Sequence, residues 1–90
     1  MPSFLVETYL GRANGAERGR RERRAHAAAE QMTRAGTRVS FGGSIHVPQD
    51  EMCFFVFDAP TGRDAALAAH QAGLDPFRVV EAIASGKERE

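Results

Sequence analysis

Cysteine is all but missing from this chain. Cys53 is the only one, so no internal disulfide can form, and a lone thiol in an apolar stretch fits a reducing, cytoplasmic setting. Lysine is equally scarce: Lys87 is the only one, and arginine carries the rest of the positive charge. Alongside many alanines and glycines, this reads as a bias of genomic composition before it reads as function. An excess of one charge is lacking too. Lys plus Arg and Asp plus Glu both number 12, for a net charge of zero. That argues against a dedicated nucleic-acid binder, whose phosphate contacts need surplus positive charge. No stretch approaches the roughly 20 apolar residues of a membrane span, so no membrane role is expected. Met1-Pro2-Ser3 passes straight into an apolar strand without a basic n-region or a small-residue cleavage site, so no signal peptide is expected.

What is present centres on Glu51-Met52-Cys53-Phe54-Phe55-Val56-Phe57-Asp58, the most apolar and aromatic run. In a strand, successive side chains take opposite faces. One face then carries Cys53, Phe55 and Phe57; the other carries Met52, Phe54 and Val56. A half-exposed strand alternates apolar with polar, and this one does not, so both of its faces are expected to be covered. The chain has 90 residues, which is one domain near the size where burial is marginal and oligomerisation helps. One layer of helices covers one face. A second copy of the chain is the simplest cover for the other.

The remaining elements follow from period and punctuation. Residues 4–10 alternate, with Phe4, Val6, Thr8 and Leu10 opposite Leu5, Glu7 and Tyr9, as in a strand. Asn14-Gly15 is a turn. Residues 16–35 are rich in helix formers, and Ala25, Ala28, Ala29 and Met32 form an i, i+3, i+4, i+7 stripe that predicts a close helix–sheet seam, stopped by Gly36. Residues 37–47 read as a strand, with Val39, Phe41, Ile45 and Val47 on one face and Arg38, Ser40, Ser44 and His46 on the other. Gly42-Gly43 interrupts it, as at a bulge or a close backbone approach. Pro48-Gln49-Asp50 turns the chain into the central strand. Thr61-Gly62-Arg63-Asp64 resembles a capping box and opens a second helix to Ala72, closed by Gly73-Leu74. Residues 77–84 are a last strand, and 85–90 a polar tail. The order β-α-β-β-α-β predicts a single α+β domain over residues 1–84. Its fold is ferredoxin-like: a four-stranded antiparallel sheet with both helices on one face. The bare face then predicts a homodimer of the α/β-barrel or back-to-back kind.

Several short motifs, in this order, carry a family resemblance. Phe4-Leu5-Val6-Glu7 comes first, then Cys53 in an aromatic strand leading to Asp58-Ala59-Pro60. Ala69-His70 and Gly73-Leu74 follow, with Arg78-Val79-Val80 in the last strand. Over about residues 3–83 the chain resembles the small ferredoxin-like proteins of unknown function that include a nickel-responsive, nickel-binding protein. The resemblance implies the same fold, dimerisation and binding of nickel or another divalent metal. It implies no established reaction, and the nickel ligands of that family do not map onto this chain one by one.

Candidate residues for chemistry are few. Glu7 lies mid-strand on the face away from the helices, and a carboxylate in a partly apolar cavity is suited to general acid–base work. The competing reading is an ion pair with an arginine such as Arg38 or Arg78. Tyr9 is placed to donate a hydrogen bond into the same cavity, or simply to pack its ring. His46 joins Glu7 if both point into one cavity; otherwise it is a solvated hairpin histidine. His70 is expected half-buried, bracing Asp75-Pro76. Glu22, His26 and Glu30 stand at i, i+4, i+8 on one helix face, the spacing of helical metal ligands. Ion pairs with Arg18, Arg23 and Arg34 compete for them. The run Arg18, Arg20, Arg21, Arg23, Arg24 has no aromatic interleaving and reads as a solvated face. Cys53 is expected to be inert.

Three function classes follow. One is a dimeric protein binding a divalent metal or small ligand. A second is a cofactor-independent cyclase, isomerase or monooxygenase with an apolar substrate between sheet and helices, using Glu7, Tyr9 and His46. The third is a purely structural interaction domain.

Overall fold

A strand with alternate apolar residues forms a sheet only where its backbone finds partners, and here two central strands supply them. In a computed structural model, which describes residues 1–83, the elements are β1 (Ser3–Tyr9), α1 (Gly15–Arg34), β2 (Ser40–Val47), a 3-10 turn (Pro48–Asp50), β3 (Met52–Asp58), α2 (Gly62–Gln71) and β4 (Arg78–Ala82). The expected tail 85–90 and the end of the last strand at Ala84 lie outside the described residues. The sheet order is β2-β3-β1-β4, antiparallel throughout. With two crossover helices, this is the ferredoxin-like fold that the element order predicts. The aromatic run is β3 and pairs along its full length with β1, from Ser3 opposite Asp58 to Tyr9 opposite Met52.

The helix side of the sheet is the core. Val6, Cys53, Phe55 and Phe57 are fully buried against Ala25, Ala28, Ala29 and Met32 of α1 and Ala65, Ala68 and Ala69 of α2. Burying each phenylalanine contributes roughly 1.5–3 kcal/mol. The alanine stripes explain the closeness of the helices: a methyl seam lets the helix backbone approach the sheet. Thr8 is the buried polar exception, and its hydroxyl donates to the Cys53 carbonyl at 2.9 Å. Buried polar groups persist when satisfied in this way.

The helix ends follow their sequence signals. The Thr61 hydroxyl accepts from the Asp64 amide at 3.1 Å, opening α2. At its close, Leu74 N–H donates to the Ala69 carbonyl and Gly73 N–H to the His70 carbonyl, a Schellman pair. Gly73 sits at φ +69°, the left-handed region a glycine enters without strain. The same pair closes α1, from Thr37 to Met32 and from Gly36 to Thr33.

Strand β2 departs from expectation in two ways. It begins at Ser40, not at residue 37, because the Thr33 hydroxyl takes both backbone groups of Val39, at 2.9 and 3.1 Å. Val39 therefore leaves the ladder and is held by α1. The second departure concerns its faces. Phe41 pairs with Phe57, but Gly43 pairs with Val56, so one residue is extra. Gly43 lies at φ +114°. A one-residue slip exchanges the faces. Ser44 and His46, opposite Phe55 and Cys53, therefore turn to the helix side. Ile45 and Val47, opposite Phe54 and Met52, turn away from it. The predicted face of Val39, Phe41, Ile45 and Val47 is corrected: Val39 and Phe41 stay with the core, Phe41 tilted against Phe57 at 5.3 Å, while Ile45 and Val47 leave it.

Candidate functional site

The sheet face without helices is the first candidate. Paired residues in a ladder share a face, so this face carries Leu5, Glu7 and Tyr9 of β1, Met52, Phe54 and Val56 of β3, Ile45 and Val47 of β2, and Arg78 and Val80 of β4. Within one chain, Phe54 and Val56 are half-buried by their neighbours, and Ile45 is 54% exposed. The face is apolar in its middle and, among the described residues, holds one ion pair, Glu7 to Arg78, with Oε2 and Nε 3.7 Å apart. Glu7 is the enclosed partner, with 13% of its side chain exposed against 63% for Arg78. Of the two arginines expected to compete for Glu7, Arg78 is the one in place. Tyr9 is 68% exposed at the end of the face and stacks on Phe77 with ring centres 4.6 Å apart. Phe77 donates its amide to the Glu7 carbonyl just before β4 begins.

The bulge separates the expected acid–base set. Glu7 and Tyr9 lie on the open face, whereas His46 lies under α1 beside Cys53. One cavity does not hold all three. Nor is His46 the solvated hairpin residue: its Nε2 is buried and meets no hydrogen-bond partner among the described residues. Near it, Arg18 donates from Nε to the Ser44 hydroxyl at 2.9 Å, and that hydroxyl donates to Glu22. Burial pushes the Cys53 thiol above its ordinary pKa, against the pull of Arg18 and Arg21. A protonated, enclosed thiol is unreactive.

The arginine run serves the fold. Arg21 donates to Thr8 and to the Tyr9 carbonyl, and Arg24 to the Ala72 carbonyl. Glu17 gathers Arg20, Arg21 and Arg24. The hydrogen bond from Arg20, with the charges of all three, holds the Glu17 carboxyl below the usual range.

The expected helical metal set does not assemble. Glu22 is taken by Ser44 and Arg18. His26 instead packs edge-on against Phe41 at 4.8 Å. Among the described residues, no group of three His, Cys, Asp or Glu side chains is placed to hold a metal ion. His70 is exposed, not half-buried: Ala65, Ala68, Ala69 and Ala72 form the buried stripe of α2, and His70 falls outside it. His26 and Glu30, with Arg34, edge a second candidate, a groove of about 370 Å³ between α1 and β2, whose other lining residues include Ala29, Val39, Ser40 and Phe41. Sequence reasoning does not show this groove: it pairs Val39 with Phe41 but carries no signal that Glu30 and Arg34 of α1 stand beside them.

The topology and the two faces define the class, an α+β protein of ferredoxin-like fold. No known protein family and no curated protein matches the chain. Among solved structures it is similar to SCO4226 from Streptomyces coelicolor A3(2), with a TM-score of 0.75, covering 92% of this chain and 98% of that one at 12% identity. At that identity the likeness shows the fold.

Proposed function

We propose that this protein is a homodimeric binding protein whose two copies meet through their open sheet faces and enclose a small ligand between them. The observation that carries the reading is the continuous apolar middle of that face, around Phe54, Val56, Leu5 and Val80, which no element among the described residues covers. Exposed apolar patches of this kind, rimmed by polar groups, mark interaction surfaces. Glu7 and Arg78 supply the polar contacts that fix a ligand's orientation in an otherwise apolar cavity.

The choice of nickel or another divalent metal as ligand rests on the resemblance described above. Within one chain the donor set does not fit such an ion, since the described residues gather no group of three ligands. This part of the proposal therefore requires donors from both copies. A cyclase, isomerase or monooxygenase built on Glu7, Tyr9 and His46 has no such support, because His46 lies on the other side of the sheet.

Light scattering on untagged protein, with thermal melts in nickel or zinc, tests both parts. A dimer mass is expected at tens of micromolar protein. A metal present at about a hundred times its Kd stabilises by about 2.7 kcal/mol, or roughly 10–20 °C in a chain of this size. A monomer mass at every concentration overturns the dimer. An unmoved melt at about 1 mM metal removes the metal.

A further inference from the structure

From the groove between α1 and β2 we infer a second binding site, for a small zwitterion with an aromatic body such as an aromatic amino acid. Its floor is apolar: Ala29, Val39 and the half-buried ring of Phe41, with His26 edge-on at 4.8 Å. About 370 Å³ falls in the range of small-ligand sites. Its rim carries opposite charges one helical turn apart, Glu30 and Arg34. Four residues of helix rise about 6 Å, so their heads can flank an ammonium and a carboxylate held on one carbon. Glu30 and Arg34 form no ion pair with each other or with any other described residue, unlike Glu17 and Glu22 on the same helix. Their charge is unspent, and both line the same apolar floor. Glu30 accepts the ligand ammonium, Arg34 donates to its carboxylate, and the ring lies over Phe41. Aromatic stacking and charge-assisted hydrogen bonds are the interactions such a pocket offers. The site is independent of the proposed dimer, because Phe41 lies opposite Phe57 on the helix side of the sheet.

Saturation-transfer NMR and calorimetry on the full chain with L-phenylalanine, phenethylamine and 3-phenylpropanoate test the assignment. L-Phenylalanine is expected to bind with a Kd of about 1 mM or tighter. Glu30→Gln should weaken L-phenylalanine and phenethylamine about tenfold and leave 3-phenylpropanoate unchanged; Arg34→Gln should do the reverse with the two half-ligands. Absence of saturable binding by about 20 mM overturns the site. So does binding that responds to only one of the two substitutions, or to neither.

Discussion

Replacing Phe54 with aspartate separates the proposed interface from the fold. Phe54 is the middle of the open face, paired with Glu7 on one side and Ile45 on the other, and already half-buried in one chain. A partner would bury the remaining half, worth about 1 kcal/mol per copy. In a two-fold dimer each substitution counts twice. Loss of the rings thus removes about 2 kcal/mol, and enclosing two unpaired carboxylates adds several more. A total near 5 kcal/mol weakens the dimer by more than about a thousandfold. The fold should survive, because the buried core lies on the opposite face. The new carboxylate would sit directly across from Glu7, an arrangement that costs each chain up to about 1 kcal/mol. Phe54→Lys avoids that, since a lysine there faces Glu7 with opposite charge. Sedimentation velocity with circular dichroism reads both variants. Folded monomers are expected from each. A dimer of unchanged mass in either would refute the assignment of the interface.

Two further outcomes follow from the perturbed groups. Glu17 titrates below its ordinary value of 4.5 when folded, so its contribution is whole above that value and fades as acid carries the pH through the folded one. Urea midpoints for wild type and Glu17→Gln should therefore converge on acidification, and parallel curves would contradict the arginine cluster. Cys53, with its thiol pushed up by burial, should react with a thiol reagent at least about a hundredfold more slowly in the native protein than in urea. Rapid labelling of folded protein would mean that β3 is open on its helix side.

The architecture was legible because its signals were local. The alternation in β1, the stripe Ala25, Ala28, Ala29 and Met32, the cap at Thr61 and the stop at Gly73 each act within a few residues, and each appears where its chemistry places it. The candidate sites were less legible. Gly42-Gly43 announced an irregularity, but not which residue would be extra, and that single count decides the side on which Ser44, Ile45 and His46 stand. The expected grouping of Glu22 with His26 and Glu30 failed for a related reason: Ser44, brought under α1 by the same bulge, claims Glu22. For His70, the expected half-burial fails because the buried stripe of α2 runs through Ala65, Ala68, Ala69 and Ala72. Register and competition between partners are tertiary properties, and no window of sequence contains them.

The stacked ring at the end of β1 gives this molecule a built-in optical probe. Tyr9 is the only tyrosine and tryptophan is absent, so emission excited beyond the phenylalanine absorption comes from one phenol, seated against Phe77 at the margin of the helix-free sheet face. Docking of a second copy, or filling of the cavity between two, would alter that phenol's surroundings. A molecule bound over Phe41 would leave its light unchanged.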